Sequence, residues 1–430
     1  MIYILLPINL VYILWSFFMS YDKHTKRFFI GPVFLFTFLQ IIMVNIGMII
    51  LASDIDKSYV IEGAVYLTIA MFIFLLAAFL TNTTFSINSY VYDKYNLKPI
   101  IIIGYFLTIL LLVYFLFHYI LLLISIFKRL LSFDIKGAAL SLATIRFEQN
   151  LSENRVSGIV VQLKNIVLPF LSIYLINKSR SIFIKILVFI ILFFILIISG
   201  QRWPIFEFLL VLFIFYTLAY NIKFNIKKYT KIALLGFILL YLMSFLQPRF
   251  EVTDDLLSNV LANFQAVIYR IFVSQAHTSE YIFRLFPNTL DFGYGTYLWQ
   301  NLQAYLPGHQ NTLAYTIYAL THPAGMVGSA SYSTITHFYA EFGWFGLIYV
   351  FIFGYLIGVY NNYLKNQKSR STTFFIMHSF FVMSIATTSL GSLTGIFYHG
   401  VLTSWLLYVL INFIVMVFFL KKNIKVNNVN

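Results

Sequence analysis

Two side chains four residues apart, His337 and Glu341, stand in a polar stretch: Ser331, Tyr332, Ser333, Thr334, Thr336, His337, Tyr339 and Glu341, then Phe342-Gly343-Trp344-Phe345-Gly346. On a helix that spacing puts both on one face. A carboxylate or imidazole so placed can take a proton from an attacking hydroxyl, the general-base task. The same residues also suit a belt of polar and aromatic side chains at a membrane interface. Glu341 is the candidate base, with His337 behind it. The second chemical set is cationic: Arg146, Arg155, Arg202, Arg249, Arg270 and Arg284, with His277 among them. A guanidinium presents a planar fork of donors that matches phosphate or carboxylate bidentately and keeps its charge.

Arg202 sits in Ser199-Gly200-Gln201-Arg202-Trp203-Pro204, between two apolar runs. Ser-Gly permits a tight reversal, and Pro204 suits the first turn of the next helix. A charge at a membrane edge is a functional candidate, and Glu207 is its expected neighbour. Asn263, Arg270, His277 and Arg284 are seven apart. One continuous helix would line them in a stripe drifting about 20° per step. At about 1.5 Å per residue, Arg270 then lies about 10 Å from His277 and about 21 Å from Arg284. Such a stripe would lie along a saccharide chain on a diphosphate, or form the wet face of a surface helix.

The elements that must position these groups follow from composition. Of 430 residues, 60% are hydrophobic and only 10% charged, where a soluble domain carries about a quarter charged. Apolar runs of about 20 residues recur along the chain, the length a helix needs to cross a bilayer. The reading is an all-α polytopic membrane bundle of about eleven spans, at roughly 2–20, 29–51, 60–81, 99–127, 158–177, 182–199, 204–220, 231–247, 335–360, 372–389 and 399–420. The stretches 178–181 and 200–203 are tight turns between antiparallel helices. Nothing basic precedes the first run, whose first charge is Asp22, so it reads as a retained span.

Eleven spans place fifteen lysines and three arginines on one side, from Lys23 and Lys26 to Lys421, Lys422 and Lys425. The positive-inside rule makes that side the cytoplasm, with the N-terminus outside and the C-terminus inside, and accounts for most of the net charge of +14. The outer side then holds seven arginines, the six above and Arg129, which the rule does not explain. They imply an anionic substrate met at the outer leaflet, such as a lipid-linked phosphate or diphosphate; pairing with local acids or lipid headgroups is the other reading. Inside the spans lysine is almost absent apart from Lys164. The chain divides into a bundle of eight spans (1–247), a long external loop (248–334) expected to fold as interfacial helices, and three last spans with a short tail (335–430).

With no cysteine, disulfides, thiolate metal sites and cysteine nucleophiles are excluded. There is no Walker loop, paired-glycine fingerprint or His-Glu-x-x-His. No cofactor, metal or nucleic-acid partner is expected. His309 and His322 lack ligand-like spacing, and His118 and His378 fall inside spans, where helix-to-helix hydrogen bonds are expected.

Four features resemble the Wzy-type O-antigen polymerases. Ser199-Gly200-Gln201-Arg202 looks like that family's Ser/Thr-Gly-x-Arg step between spans, and the long loop before the last three spans has the family's size and place. Phe292-Gly293-Tyr294-Gly295-Thr296-Tyr297, followed by Leu306-Pro307-Gly308, is similar to a recurring Gly-x-x-Tyr and Leu-Pro pattern. Phe338-Tyr339-Ala340-Glu341-Phe342-Gly343-Trp344-Phe345-Gly346 looks like an aromatic run ending in Phe-Gly-x-x-Gly. The likeness covers about 140–420. It implies a metal- and nucleotide-independent glycosyltransferase of the bacterial inner membrane. That enzyme would polymerise undecaprenyl-diphosphate-linked oligosaccharide repeat units at the periplasmic face, with a chain-length regulator protein as a candidate partner. The related ligases often carry His-Asn about nine residues before the equivalent of Glu341, where this chain has Tyr332-Ser333. A flippase for the lipid-linked sugar is the other alternative; it would have short loops on both sides.

Overall fold

A computed structural model describes residues 2–22, 27–54, 58–81, 163–198, 203–220, 256–303, 312–322, 330–366 and 371–396, with isolated positions between 106 and 132, 225 and 241, and 405 and 413. Among these the architecture is helical. The sole strand pairing described is Tyr21–Asp22 (β1) with Arg27–Phe28 (β2), an antiparallel clip between the first two helices.

Helix α1 is Leu5–Ser20. Helix α2, Pro32–Gln40, has Pro32 in its first turn, where the missing N–H costs nothing. A π-helical turn, Ile41–Asn45, joins it to α3, Ile46–Asp54. Helix α4 is Ser58–Leu80. A second π turn, Leu163–Val167, leads into α5, Leu168–Lys178; α6 is Ile182–Ile198 and α7 Trp203–Ala219. Helices α8 (Leu256–Phe272), α9 (Ser274–Leu285), α10 (Thr296–Gln303) and α11 (Leu313–Thr321) follow. The chain continues with α12 (Thr334–Phe342), α13 (Gly346–Lys365) and α14 (Thr372–Thr387).

Four helical runs are long and apolar enough to cross a membrane: Ile2–Ser20, Pro32–Ser53, Ser58–Leu80 and Thr334–Lys365. Ile182–Phe193, Pro204–Ala219 and Thr372–Thr387 are shorter apolar helices at expected spans. The expected spans at 99–127, 231–247 and 399–420 lie mostly outside the described residues, as does the start of the one at 158–177. The span expected at 335–360 falls within Thr334–Lys365, but that run is interrupted at Gly343. Gly343 has φ 57° and ψ −135°, a conformation no helix continues through, so α12 is a separate segment. Helix α13 then supplies about 30 Å by itself.

The most closely packed helices among the described residues are the parallel pair α4 and α13. A Cβ at Gly354 would lie 2.5 Å from the Phe74 carbonyl oxygen, and one at Gly358 2.7 Å from Ala78 Cα. Both contacts join residues 280 apart in number, so the helices run in one direction and in one register. Small residues permit this approach, and close packing is what joins helices where the solvent is as apolar as leucine. The π turn serves a polar clasp that ties α1 to α4. Asn45 Nδ2 donates to Asn9 Oδ1 at 2.8 Å, Asn9 Nδ2 to Thr68 Oγ1 at 3.0 Å, and Gln40 Nε2 to Asn45 Oδ1 at 3.2 Å. The extra residue of a π turn rotates Asn45 toward both neighbours. His378 Nδ1 meets the Tyr360 hydroxyl at 2.7 Å, the expected helix-to-helix bond.

Two ends can be told apart. At one, α3 gives way to α4 around 54–58; at the other lie the β1–β2 clip and Thr81, whose carbonyl accepts the Asn362 amide. Helix α9 packs on α3 and α4 at the first end: a Cβ at Gly63 would lie 2.6 Å from the Phe283 ring, and one at Gly47 2.6 Å from Ala276 Cβ. The part of the expected external loop described between 256 and 321 is mostly helical, with a non-helical stretch at 286–295 between α9 and α10, and α9 closes the α3–α4 end.

Candidate functional site

Helix α12 starts at Ser333, whose hydroxyl accepts the Thr336 N–H at 3.2 Å, an N-cap. Its first residue is tied to the end of α14, since Thr334 N–H donates to the Thr388 carbonyl at 2.8 Å and its hydroxyl to the Gly391 carbonyl at 3.1 Å. Every residue from Ser333 to Glu341 is buried. His337 and Glu341 share a face as their spacing requires, with Nε2 and Oε1 3.3 Å apart and each side chain 2% exposed.

Glu341 is more heavily engaged than its sequence setting shows. One carboxylate oxygen accepts the Gly295 N–H at 2.6 Å, and the other accepts the Leu298 N–H as well as facing His337. These amides open α10, so a carboxylate from 46 residues downstream caps that helix and complements its dipole. Backbone bonds extend the join: Gly293 N–H donates to the Ala340 carbonyl at 3.1 Å and Tyr294 N–H to the Glu341 carbonyl at 2.9 Å. Tyr294 and Gly295 both take positive φ, 48° and 98°, to turn both N–H groups inward. Gly293 has no room for a Cβ, which would strike both the Tyr297 ring and Glu341 itself. The Tyr297 hydroxyl donates to the Asp291 carbonyl at 3.0 Å. Burial, with Glu341 and Asp291 adding to it, pushes the Tyr297 hydroxyl above its usual range. With both oxygens committed to N–H donors, Glu341 is built to hold a loop. A role in accepting a substrate proton would require it to release one of them.

The opposite face of α12 carries a carboxylate that the sequence reading passed over. Glu62, in the first turns of α4, accepts from the Tyr339 hydroxyl at 2.9 Å and the Trp344 indole at 3.0 Å, both to Oε1. Tyr66 meets Tyr339 and Trp344 edge-on at 5.0 and 5.3 Å. Glu62 was legible only as a rare acid inside an expected span; nothing local ties it to residues 277 and 282 positions away.

The basic set is spread differently from the expected stripe. The helix expected over 258–286 breaks at Val273, with φ −124° and ψ −39°, so Asn263, Arg270, His277 and Arg284 do not share one axis. Asn263 is buried, its amide donating to the Tyr241 carbonyl at 3.1 Å, whereas Arg270, in the last turn of α8, is exposed. Leu257, Leu261, Phe264 and Tyr269 are exposed on the same helix, so α8 turns apolar side chains outward and asparagines inward. On α9, His277 Nδ1 lies 3.7 Å from Glu280 Oε2. The Arg284 guanidinium sits 4.8 Å over the Tyr281 ring. Arg146, Arg155, Arg202 and Arg249 lie outside the described residues. Glu207, Arg202's expected neighbour, is on the second turn of α7. Among the described residues, no three of histidine, aspartate or glutamate gather closely enough to hold a metal ion. No family model, curated protein or solved structure matches the chain.

Proposed function

We propose that this chain is a membrane glycosyltransferase of the O-antigen-polymerase kind, joining undecaprenyl-diphosphate-linked repeat units at the outer face of a bacterial inner membrane. The observation that supports this most is a meeting of motifs. The two stretches most similar to that family, 292–297 and 338–346, lie far apart in sequence but are bonded to each other through Glu341 and the backbone of 293, 294, 340 and 341. A Cβ at Gly343 would lie 2.9 Å from the Phe292 ring, so the two runs also pack directly. In the eleven-span arrangement this junction is periplasmic, at the mouth where α9 and α10 cover the bundle.

Chemically, the growing saccharide leaves its lipid diphosphate as its anomeric carbon bonds to a hydroxyl of the incoming unit. The diphosphate departs with the electron pair, and the hydroxyl proton ends on the departing diphosphate or on water. Fixed guanidinium groups aimed at the departing diphosphate lower that barrier without a metal. Arg202, Arg270 and Arg146 are the proposed diphosphate ligands, with Arg249, Arg284, Arg155 and His277 along the saccharide. Glu341 and His337 position the 292–298 segment at the acceptor, and a catalytic proton transfer by either is secondary to that task.

The test is a reconstitution. Purified protein given synthetic lipid-diphosphate repeat units, with no nucleotide sugar, is expected to give a ladder of longer products, and Arg202→Ala to abolish it while still inserting in membranes. A wild-type protein that makes no ladder overturns the assignment; a normal ladder from Arg202→Ala removes that arginine from the site.

A further inference from the structure

Among the described residues two lysines are buried in the bundle, and their surroundings treat them differently. Lys365, the last residue of α13, is 0% exposed, and its ammonium donates to the Met19 carbonyl in the last turn of α1. A helix C-terminus welcomes a cation there, because its last carbonyls lack intrahelical donors. Lys365 is a structural lysine. Lys164, on the π turn before α5, is 5% exposed, and among the described residues no carboxylate or carbonyl reaches its ammonium. Its neighbour Asn165 buries a side-chain oxygen that also has no hydrogen-bond partner among the described residues. Among the described residues nothing neutralises this ammonium; a charge inside a membrane bundle is costly, and such residues persist where function uses them. π turns recur at functional sites for a related reason: the inserted residue has no role in extending the helix.

The position is informative too. Helices α5 and α14 are antiparallel: Asn177 bonds Thr372 at 3.4 Å, and Phe170 stacks on Phe380 at 6.0 Å. That register, carried six residues further, sets Lys164 level with Ile385 and Ala386. One turn on is Thr388, whose carbonyl holds the start of α12. The π turn also packs on α6, which ends at Ile198, four residues before Arg202 in the sequence. Lys164 therefore lies at the same end as the Glu341 junction, and within the helix layer instead of above it.

We infer that Lys164 is an anion-holding residue whose ammonium receives a phosphoryl oxygen of a membrane-borne phosphate, either a phospholipid headgroup or a lipid-linked diphosphate. A compact ammonium suits phosphate as a point charge, and phosphate esters are the abundant anions of a bilayer. The inference rests on the proposed function only for the second source.

The experiment compares Lys164→Met, Lys365→Met and wild type as full chains in detergent. Lys164→Met is expected to raise the melting temperature of the ligand-free protein, because a buried charge gives way to a thioether of similar length. Lys365→Met is expected to lower it. Undecaprenyl diphosphate, phosphatidylglycerol and inorganic pyrophosphate are then titrated separately. At least one should raise the wild-type melting temperature, and Lys164→Met should lose that shift or need about tenfold more ligand for it. A shift with undecaprenyl diphosphate alone assigns the lipid-linked source, and one with phosphatidylglycerol assigns the headgroup. Pyrophosphate acting alone supports the phosphate chemistry without a lipid. Destabilisation by Lys164→Met overturns the inference, as does an equal shift in both proteins or no shift with any of the three. If no product ladder forms but the Lys164-dependent shift stands, the polymerase reading falls and this site remains.

Discussion

Replacing Glu341 separates holding from proton transfer. Its carboxylate accepts two α10 amides, Gly295 N–H at 2.6 Å and Leu298 N–H, from a side chain 2% exposed. Hydrogen bonds to a charged group contribute about 1.5–3 kcal/mol each, so Glu341→Ala should cost about 3–6 kcal/mol at this junction. The outer part of α10 is wet, with Trp299 60% exposed, so water can re-satisfy some donors and the lower figure, about 3 kcal/mol, is expected. Glu341→Gln keeps one acceptor oxygen, but its amide nitrogen cannot accept from an N–H, so about half the loss is expected. The assay is hydrogen exchange at the 293–298 amides with a thermal melt alongside. Exchange at Gly295 and Leu298 should accelerate by about two orders of magnitude in the alanine variant and about one in glutamine. Unchanged exchange at these two amides in Glu341→Ala would refute the clamp. Activity supplies the second discriminator. Glutamine should restore part of the proposed polymerising activity, once alanine has removed it, if Glu341 positions the loop, and none of it if Glu341 takes the proton.

Three further expectations follow from the same contacts. Glu62→Ala leaves the buried Tyr339 hydroxyl without its acceptor and should cost about 2 kcal/mol, with a red shift of tryptophan emission that is absent when Trp344→Phe is the background; identical shifts in both backgrounds would refute it. Gly358→Leu drives a side chain against Ala78 and should lower the melting temperature through about 1–3 kcal/mol of overpacking, whereas Gly295→Ala, with open space at its Cβ, should lose only the cost of a strained positive φ. The raised Tyr297 pKa means the unfolded chain ionises first. Its contribution to stability is complete below about pH 10 and is lost as pH rises through the folded value; melts of wild type and Tyr297→Phe should diverge only above that pH, and parallel curves up to pH 12 would contradict the burial.

Much of the helical framework was legible from apolar length alone. The expected starts at 182, 204 and 372 fall within a residue of α6, α7 and α14, because charges, serines or a proline mark each boundary. The breaks were not legible. Phe272-Val273-Ser274 carries no glycine or proline, so the seven-residue spacing of Asn263, Arg270, His277 and Arg284 read as one helix. Gly343 was visible within the aromatic run, yet a helical glycine and a left-handed one look alike in sequence. Both π turns, at 41–45 and 163–167, are spelled in ordinary apolar and amide residues. In the site, the pairing of His337 with Glu341 followed from spacing, while the partners that decide Glu341's task are backbone amides, which leave no trace in side-chain identity. Glu62 was missed for the matching reason: its partners arrive from the far end of the chain.

The pairing of α4 with α13 also sets a schedule. Residues that touch along this seam are 280 apart in number, and at about 5–20 residues per second the ribosome needs on the order of 14–56 s to deliver the second after the first. Through that interval α4 must wait in the membrane with Glu62 lacking its two donors and its small-residue seam unfilled. A nascent chain stalled before Gly346 should thus be a marked target for membrane quality control, and completion of α13 is the event that commits the bundle to its final form.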